Sequence, residues 1–164
     1  MHETYILRQP KPGDMGMVVH KHGALYDKEY GWDEYFEALV AQIVADFVKN
    51  FNPDRERCWI AEMNDEVVGS IFVVDGSEEV AKLRLLLVDP KARGLGLGTR
   101  LVEECIQFAK KVGYKKLVLW TNSNLFEARH IYQKKGFELV AEEPHHSFGH
   151  DLVGETWELK LKDH

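Results

Sequence analysis

Residues 85–102 of this chain read LLLVDPKARGLGLGTRLV, from Leu85 to Val102. An apolar run suited to a buried strand stops at Asp89-Pro90, crosses a glycine-rich turn and enters an amphipathic helix. That arrangement is suited to holding an anion. At Gly94, Gly96 and Gly98 the backbone can approach a ligand without interference from a Cβ atom, and the unpaired N–H groups of the first helical turn face outward from its positive end. Arg93 adds a fixed positive charge.

Working outward, Leu101, Cys105, Phe108 and Val112 form one helical stripe, widened by Val102 and Ala109, and Gly113 supplies its stop. The run KLVLWT that follows is short and apolar on both faces, as expected of a strand in the middle of a covered sheet. Residues 126–135 read as a further helix ending at Gly136, and Phe137–Ala141 and Thr156–Leu161 as two final strands. The segment EEPHHSFGHD between those strands reads as a loop.

Upstream, Thr4–Gln9 reads as a first strand and Asp14 as the cap of a helix that Gly23 and Gly31 make short or bent. A second helix follows the cap candidate Asp33, with Phe36, Val40, Val44 and Phe47 at helical spacing, and stops at Asn52-Pro53. CWIAEM and VVGSIFVV flank Asn64-Asp65 as a hairpin, and a third strand begins near Val80. The order β-α-α-β-β-β-α-β-α-β-β indicates an α/β protein with a mixed sheet, and the chain reads as one domain over residues 1–164.

A net charge of −6 argues against general binding to a nucleic-acid backbone. Cys58 and Cys105 form no C-x-x-C or zinc pattern, and no stretch reaches membrane-spanning length. The first fifteen residues lack a signal-peptide core, so a soluble, cytoplasmic protein is expected, with no metal and no membrane partner. An exposed strand edge would permit a homodimer.

Two phosphate motifs fail on spacing. The dinucleotide fingerprint requires G-x-G-x-x-G where this chain has G-x-G-x-G, and the triphosphate loop G-x-x-x-x-G-K-[ST] is absent. What remains is R-x-x-G-x-G at Arg93–Gly98, followed downstream by Ala128-x-x-x-Tyr132-x-x-x-Gly136-Phe137. Together these resemble the GNAT superfamily of N-acetyltransferases, and the resemblance covers nearly the whole chain. More narrowly, AKLRLLLVDPKARGLGLG, LVLWTN, ARHIYQKKGF and EEPHHSFGHDLVGETWEL resemble the acetyltransferase half of bacterial MarR-GNAT fusion proteins.

The resemblance implies acetyl-CoA as cosubstrate and direct transfer of its acetyl group to an amine. It places the pyrophosphate on the backbone amides of Arg93, Gly94, Leu95, Gly96, Leu97, Gly98 and Thr99, and the pantetheine arm on backbone groups of Leu86 and Val88. Tyr132 takes the general-acid position; a thiol pKa of about 8.5 and a phenol pKa of about 10 make proton transfer between them only mildly uphill. The family's asparagine seven residues before the tyrosine is Leu125 here, which leaves Asn122 or Asn124 to replace it. Relatives often carry a base carboxylate on the strand before the loop, where this chain has Lys82 and Arg84.

On the acceptor side, YDKEYGWDEYFE at residues 26–37 combines acidic and aromatic side chains suited to a cation. Glu29 and Glu34 are base candidates from this stretch, and His145 from the later loop, since an imidazole pKa near 6.5 suits proton removal at neutral pH. His20 and His22 read equally as surface or pocket residues. A cleft-facing Arg84 would pair with a carboxylate, so a small amine or amino-acid-like acceptor is expected ahead of a protein lysine. The competing reading is a CoA-sensing regulatory module without turnover.

Overall fold

The structure is a computed structural model and describes residues 4–161. A short strand β1 (Ile6–Arg8) precedes helices α1 (Asp14–Tyr30) and α2 (Glu34–Lys49). Strands β2 (Arg57–Met63), β3 (Glu66–Asp75) and β4 (Val80–Val88) follow, and a 3-10 turn at Pro90–Ala92 leads into α3 (Leu97–Val112). Then come β5 (Lys116–Asn122), α4 (Phe126–Lys134), β6 (Glu138–Ser147) and β7 (His150–Lys160). This is the α/β element order expected from the sequence.

Seven strands form one mixed sheet in the order β1-β2-β3-β4-β5-β7-β6. β4 and β5 pair in parallel, as a connection through α3 requires, and the other neighbours are antiparallel. Along β3, Ile71 and Val73 pack with α3 while Phe72 packs with α1 and α2. Because neighbouring strand residues point to opposite faces, the two helical layers cover opposite sides of the sheet.

Local chemistry explains most boundaries. The Asp33 carboxylate accepts from the Tyr35 N–H at 3.1 Å and caps α2. Asn64 and Asp65 both adopt positive φ, 52° and 63°, the backbone that a two-residue hairpin turn matched to strand twist demands.

Three expectations are corrected. Asp14 is the first residue of α1 rather than its cap; Gly13 takes that position with φ 99°, and the Asp14 carboxylate instead accepts from Arg8 and the Lys11 N–H. α1 runs unbroken through Gly23 and ends only at Gly31; a Cβ at Gly23 would meet only the exposed end of the Glu37 side chain. EEPHHSFGHD is a hairpin, not a loop: β6 and β7 pair from Glu138↔Glu158 to Ser147↔His150 around Phe148-Gly149. β6 is an edge strand exposed along most of its length, so its sequence lacks the apolar alternation that marks a half-buried strand, and the edge position tolerates Pro144.

Candidate active site

Strands β4 and β5 pair only from Val80↔Lys116 to Leu83↔Leu119, although β4 continues to Val88 and β5 to Asn122. The cause lies in β4. Phe72 of β3 faces Arg84 while Ser70 faces Leu87, so β4 carries one extra residue there, and Leu85 takes φ 54°. The Ser70 hydroxyl donates to the Leu85 carbonyl at 3.3 Å. The bulge turns β4 away from its parallel neighbour and opens a gap in the middle of the sheet.

That gap is a cleft of about 480 Å³. Leu83 to Leu86 form one wall and Val118 to Asn122 the opposite one, with Tyr132 of α4 also lining it. His22, Tyr26, Trp32 and Phe36 close it from α1, α2 and the turn between them. A smaller groove shares Tyr26, Leu86, Leu125 and Ala128 with the cleft and reaches Val88 and Arg93. The glycine turn and Tyr132 therefore lie along one continuous path.

At the outer end of the path, Gly96 is the N-cap of α3 in left-handed conformation, φ 74°, with no side chain bonded to the first helical N–H groups. Space around the Cα of Gly94 and of Gly96 is open to 4 Å. These are the features of a phosphate cradle: free N–H groups, positive helix end, unobstructed backbone. Gly98 has a different role, because a Cβ there would lie 2.8 Å from Ile131 Cδ1, so its absence lets α4 approach α3. The strand-to-turn junction is pinned by Lys21, whose ammonium lies 2.8 Å from Asp89 and 3.2 Å from Glu66.

Inside the cleft, burial pushes the Tyr132 phenol well above its ordinary range, with Tyr26 and Cys105 adding to the rise, so the phenol holds its proton across neutral pH. Tyr26 is raised in the same way by burial. The lining contains no carboxylate; its charged members are Lys82 and Arg84, which make no ion pair among the described residues. The carboxylates of residues 26–37 thus lie outside the cleft, while Tyr26, Trp32 and Phe36 line it and Tyr30 and Tyr35 do not.

The three base candidates fall outside the lining. Glu29 pairs with Arg93 in the smaller groove, and Glu34 is exposed in the first turn of α2. His145 has both ring nitrogens engaged: Nε2 lies 2.8 Å from Asn122 Oδ1 and Nδ1 2.9 Å from the Ser147 hydroxyl. Its ring also lies against Trp120, centroids 5.3 Å apart. Asn122 lines the cleft, whereas the Asn124 side-chain oxygen is buried without a partner.

Of His20 and His22, which the sequence reads equally as surface or pocket residues, His20 is exposed and His22 is buried. It is 1% exposed, its Nδ1 sits 2.8 Å from the Val18 carbonyl, and its Nε2 has no partner. No local pattern marks it, since α1 would present the same spacing with His22 in solvent.

Residues 21–137 match the acetyltransferase (GNAT) family. Human N-acetyltransferase 8 is 31% identical over 113 residues, covering 65% of this chain and 50% of that protein. An uncharacterised N-acetyltransferase of Methanocaldococcus jannaschii is 29% identical over 143 residues, covering 83% and 62%. The chain spans about half the length of the mammalian relatives it matches. Among solved structures, an acetyltransferase from Salmonella typhimurium with its cofactor acetyl-CoA superposes with a TM-score of 0.73 at 20% identity, over 98% of this chain and 95% of that one. An N-acetyltransferase from Staphylococcus aureus gives 0.78 at 19% identity, over 97% and 99%. These superpositions show a shared fold.

Proposed function

Because the chain belongs to the acetyltransferase (GNAT) family, we propose that it transfers the acetyl group of acetyl-CoA to the amine of a small acceptor that also carries a carboxylate. The observation that carries the acceptor assignment is the charge of the cleft: among the described residues, Lys82 and Arg84 line it without ion-pair partners and no carboxylate does. A purely cationic acceptor would meet two like charges there, whereas a carboxylate gains a charge-assisted partner.

The residues present suit acetyl-CoA. The N–H groups of residues 94–99 would hold its pyrophosphate, whereas the Arg93 N–H, expected among them, already donates to the Pro90 carbonyl at 3.2 Å; the edge of β4 at Leu86 and Val88, facing the gap left by β5, would pair with the extended pantetheine arm. The buried, unpartnered Asn124 oxygen is an acceptor available near the start of α4. Acetyl-CoA supplies an acyl group activated as a thioester. Tyr132 holds a proton for a departing thiolate, although the burial that keeps it protonated also makes that transfer more uphill than from an ordinary phenol.

Transfer of radiolabelled acetyl from acetyl-CoA across a panel of the twenty amino acids, their decarboxylated amines and lysine peptides tests this reading. Amino acids are expected to be acetylated in preference to the matching amines, and Arg84→Ala should abolish that preference. Labelling of peptides alone would overturn the acceptor assignment, and CoA binding with no turnover would favour a sensing module.

A further inference from the structure

His22 is a buried polar group that the roles assigned above do not use. The Val18 carbonyl can only accept a hydrogen bond, so the proton on the His22 ring sits on Nδ1 and Nε2 carries a lone pair. Nδ1 is turned back toward its own helix; Nε2 lies on the other side of the ring, buried and without a partner, in a residue that lines the cleft. The ring is held against Tyr26, centroids 5.8 Å apart, and against Phe36 at 6.3 Å. A fixed lone pair with no donor is costly to folding, and because Nε2 is covered here, a ligand N–H or a water reaches it only once the aromatic side chains over it shift.

We propose that His22 is the acceptor-binding residue of the cleft, with Nε2 accepting a hydrogen bond from an N–H of the incoming amine, directly or through one bound water. This rests on the N-acetyltransferase reading. A neutral imidazole in this tautomer selects a hydrogen-bond donor and orients the amine nitrogen without itself taking up the proton. It also explains how a cleft without carboxylates recognises an amine: the carboxylate end of the acceptor meets Lys82 and Arg84, and the nitrogen end meets His22.

His22→Phe, which keeps a ring between Tyr26 and Phe36, and His22→Gln, which restores an acceptor oxygen, test the proposal with the best acceptor found in the amine panel. His22→Phe should lower kcat/KM for that amine at least tenfold with acetyl-CoA affinity by calorimetry unchanged within twofold, and His22→Gln should recover part of the loss. In the wild type, the ¹⁵N resonance of His22 Nε2 should be that of an unprotonated ring nitrogen and should move when the amine is added to the CoA-bound protein, but not on adding CoA alone. Unchanged kcat/KM in His22→Phe, or a resonance indifferent to the amine, would overturn the proposal while leaving the acetyltransferase reading intact. Failure of the wild type to acetylate any amine would instead overturn that reading, and the proposal with it.

Discussion

Glu29 on α1 holds the guanidinium of Arg93 at the end of the 3-10 turn that leads into the glycine loop. The pair spans the groove that connects the loop to the cleft, and the carboxylate raises the already high pKa of Arg93. An arriving pyrophosphate and Glu29 would compete for the same cation. Glu29→Gln should therefore bind acetyl-CoA about threefold more tightly, in keeping with the small worth of a partly exposed ion pair, and Arg93→Ala more weakly. Calorimetry at low salt checks both, and weaker binding by Glu29→Gln would exclude the competition.

Tyr132→Phe removes the phenol while keeping the ring packed on Phe137, whose centroid lies 5.7 Å away. The expected result is a fall of about 100-fold in kcat, within the range for loss of a general acid, with acetyl-CoA affinity unchanged. Because burial raises the phenol, its ionisation should add no falling limb to the wild-type kcat profile below about pH 10. A limb near pH 8 that vanishes in Tyr132→Phe would contradict that protonation state.

Gly98→Ala should destabilise the protein by about 1 kcal/mol or less, because the new Cβ would lie 2.8 Å from Ile131 Cδ1 and push the end of that side chain from its rotamer. Adding Ile131→Val removes the obstructing methyl and should restore most of the loss. Urea unfolding of the single and double variants measures the coupling directly.

The pH dependence of stability should carry the mark of His22. Burial, partly offset by the Val18 carbonyl, lowers its pKa to about 4 from 6.5. The unfolded chain therefore binds a proton between these values when the folded protein does not, so stability falls as pH drops from about 6.5 to 4, by about 3 kcal/mol from this residue. Asp14, held low chiefly by Arg8, adds a separate loss only as pH falls below the ordinary carboxylate value of 3.8. Denaturant midpoints from pH 7 to 4 should flatten in His22→Phe, and an unchanged slope would show that His22 titrates normally in the folded state.

Much of the architecture was legible in the sequence because it depends on local rules. The glycine turn after a buried strand, the period of α2 and α3, and the Asn64-Asp65 hairpin follow from spacing and backbone preference, which neighbours in the chain largely determine. The paired motifs around Gly96 and Tyr132 were equally legible, and with them the family.

The composition of the cleft was not. Residues 26–37 place aromatics and carboxylates side by side in the chain, and only helix packing decided that Tyr26, Trp32 and Phe36 turn inward while Glu29 meets Arg93 and Glu34 meets solvent. The hairpin at β6 and β7 was hidden because an exposed edge strand imposes no apolar alternation. The sequence by itself determined a glycine turn on the exit of a strand and the tyrosine motif downstream of it, since both reside in short contiguous motifs. Tertiary structure alone decided that the bulge at Leu85 parts β4 from β5, and that His22, Arg84 and Tyr132 line one cleft, because those groups lie on elements far apart in the chain and meet only where packing brings them together.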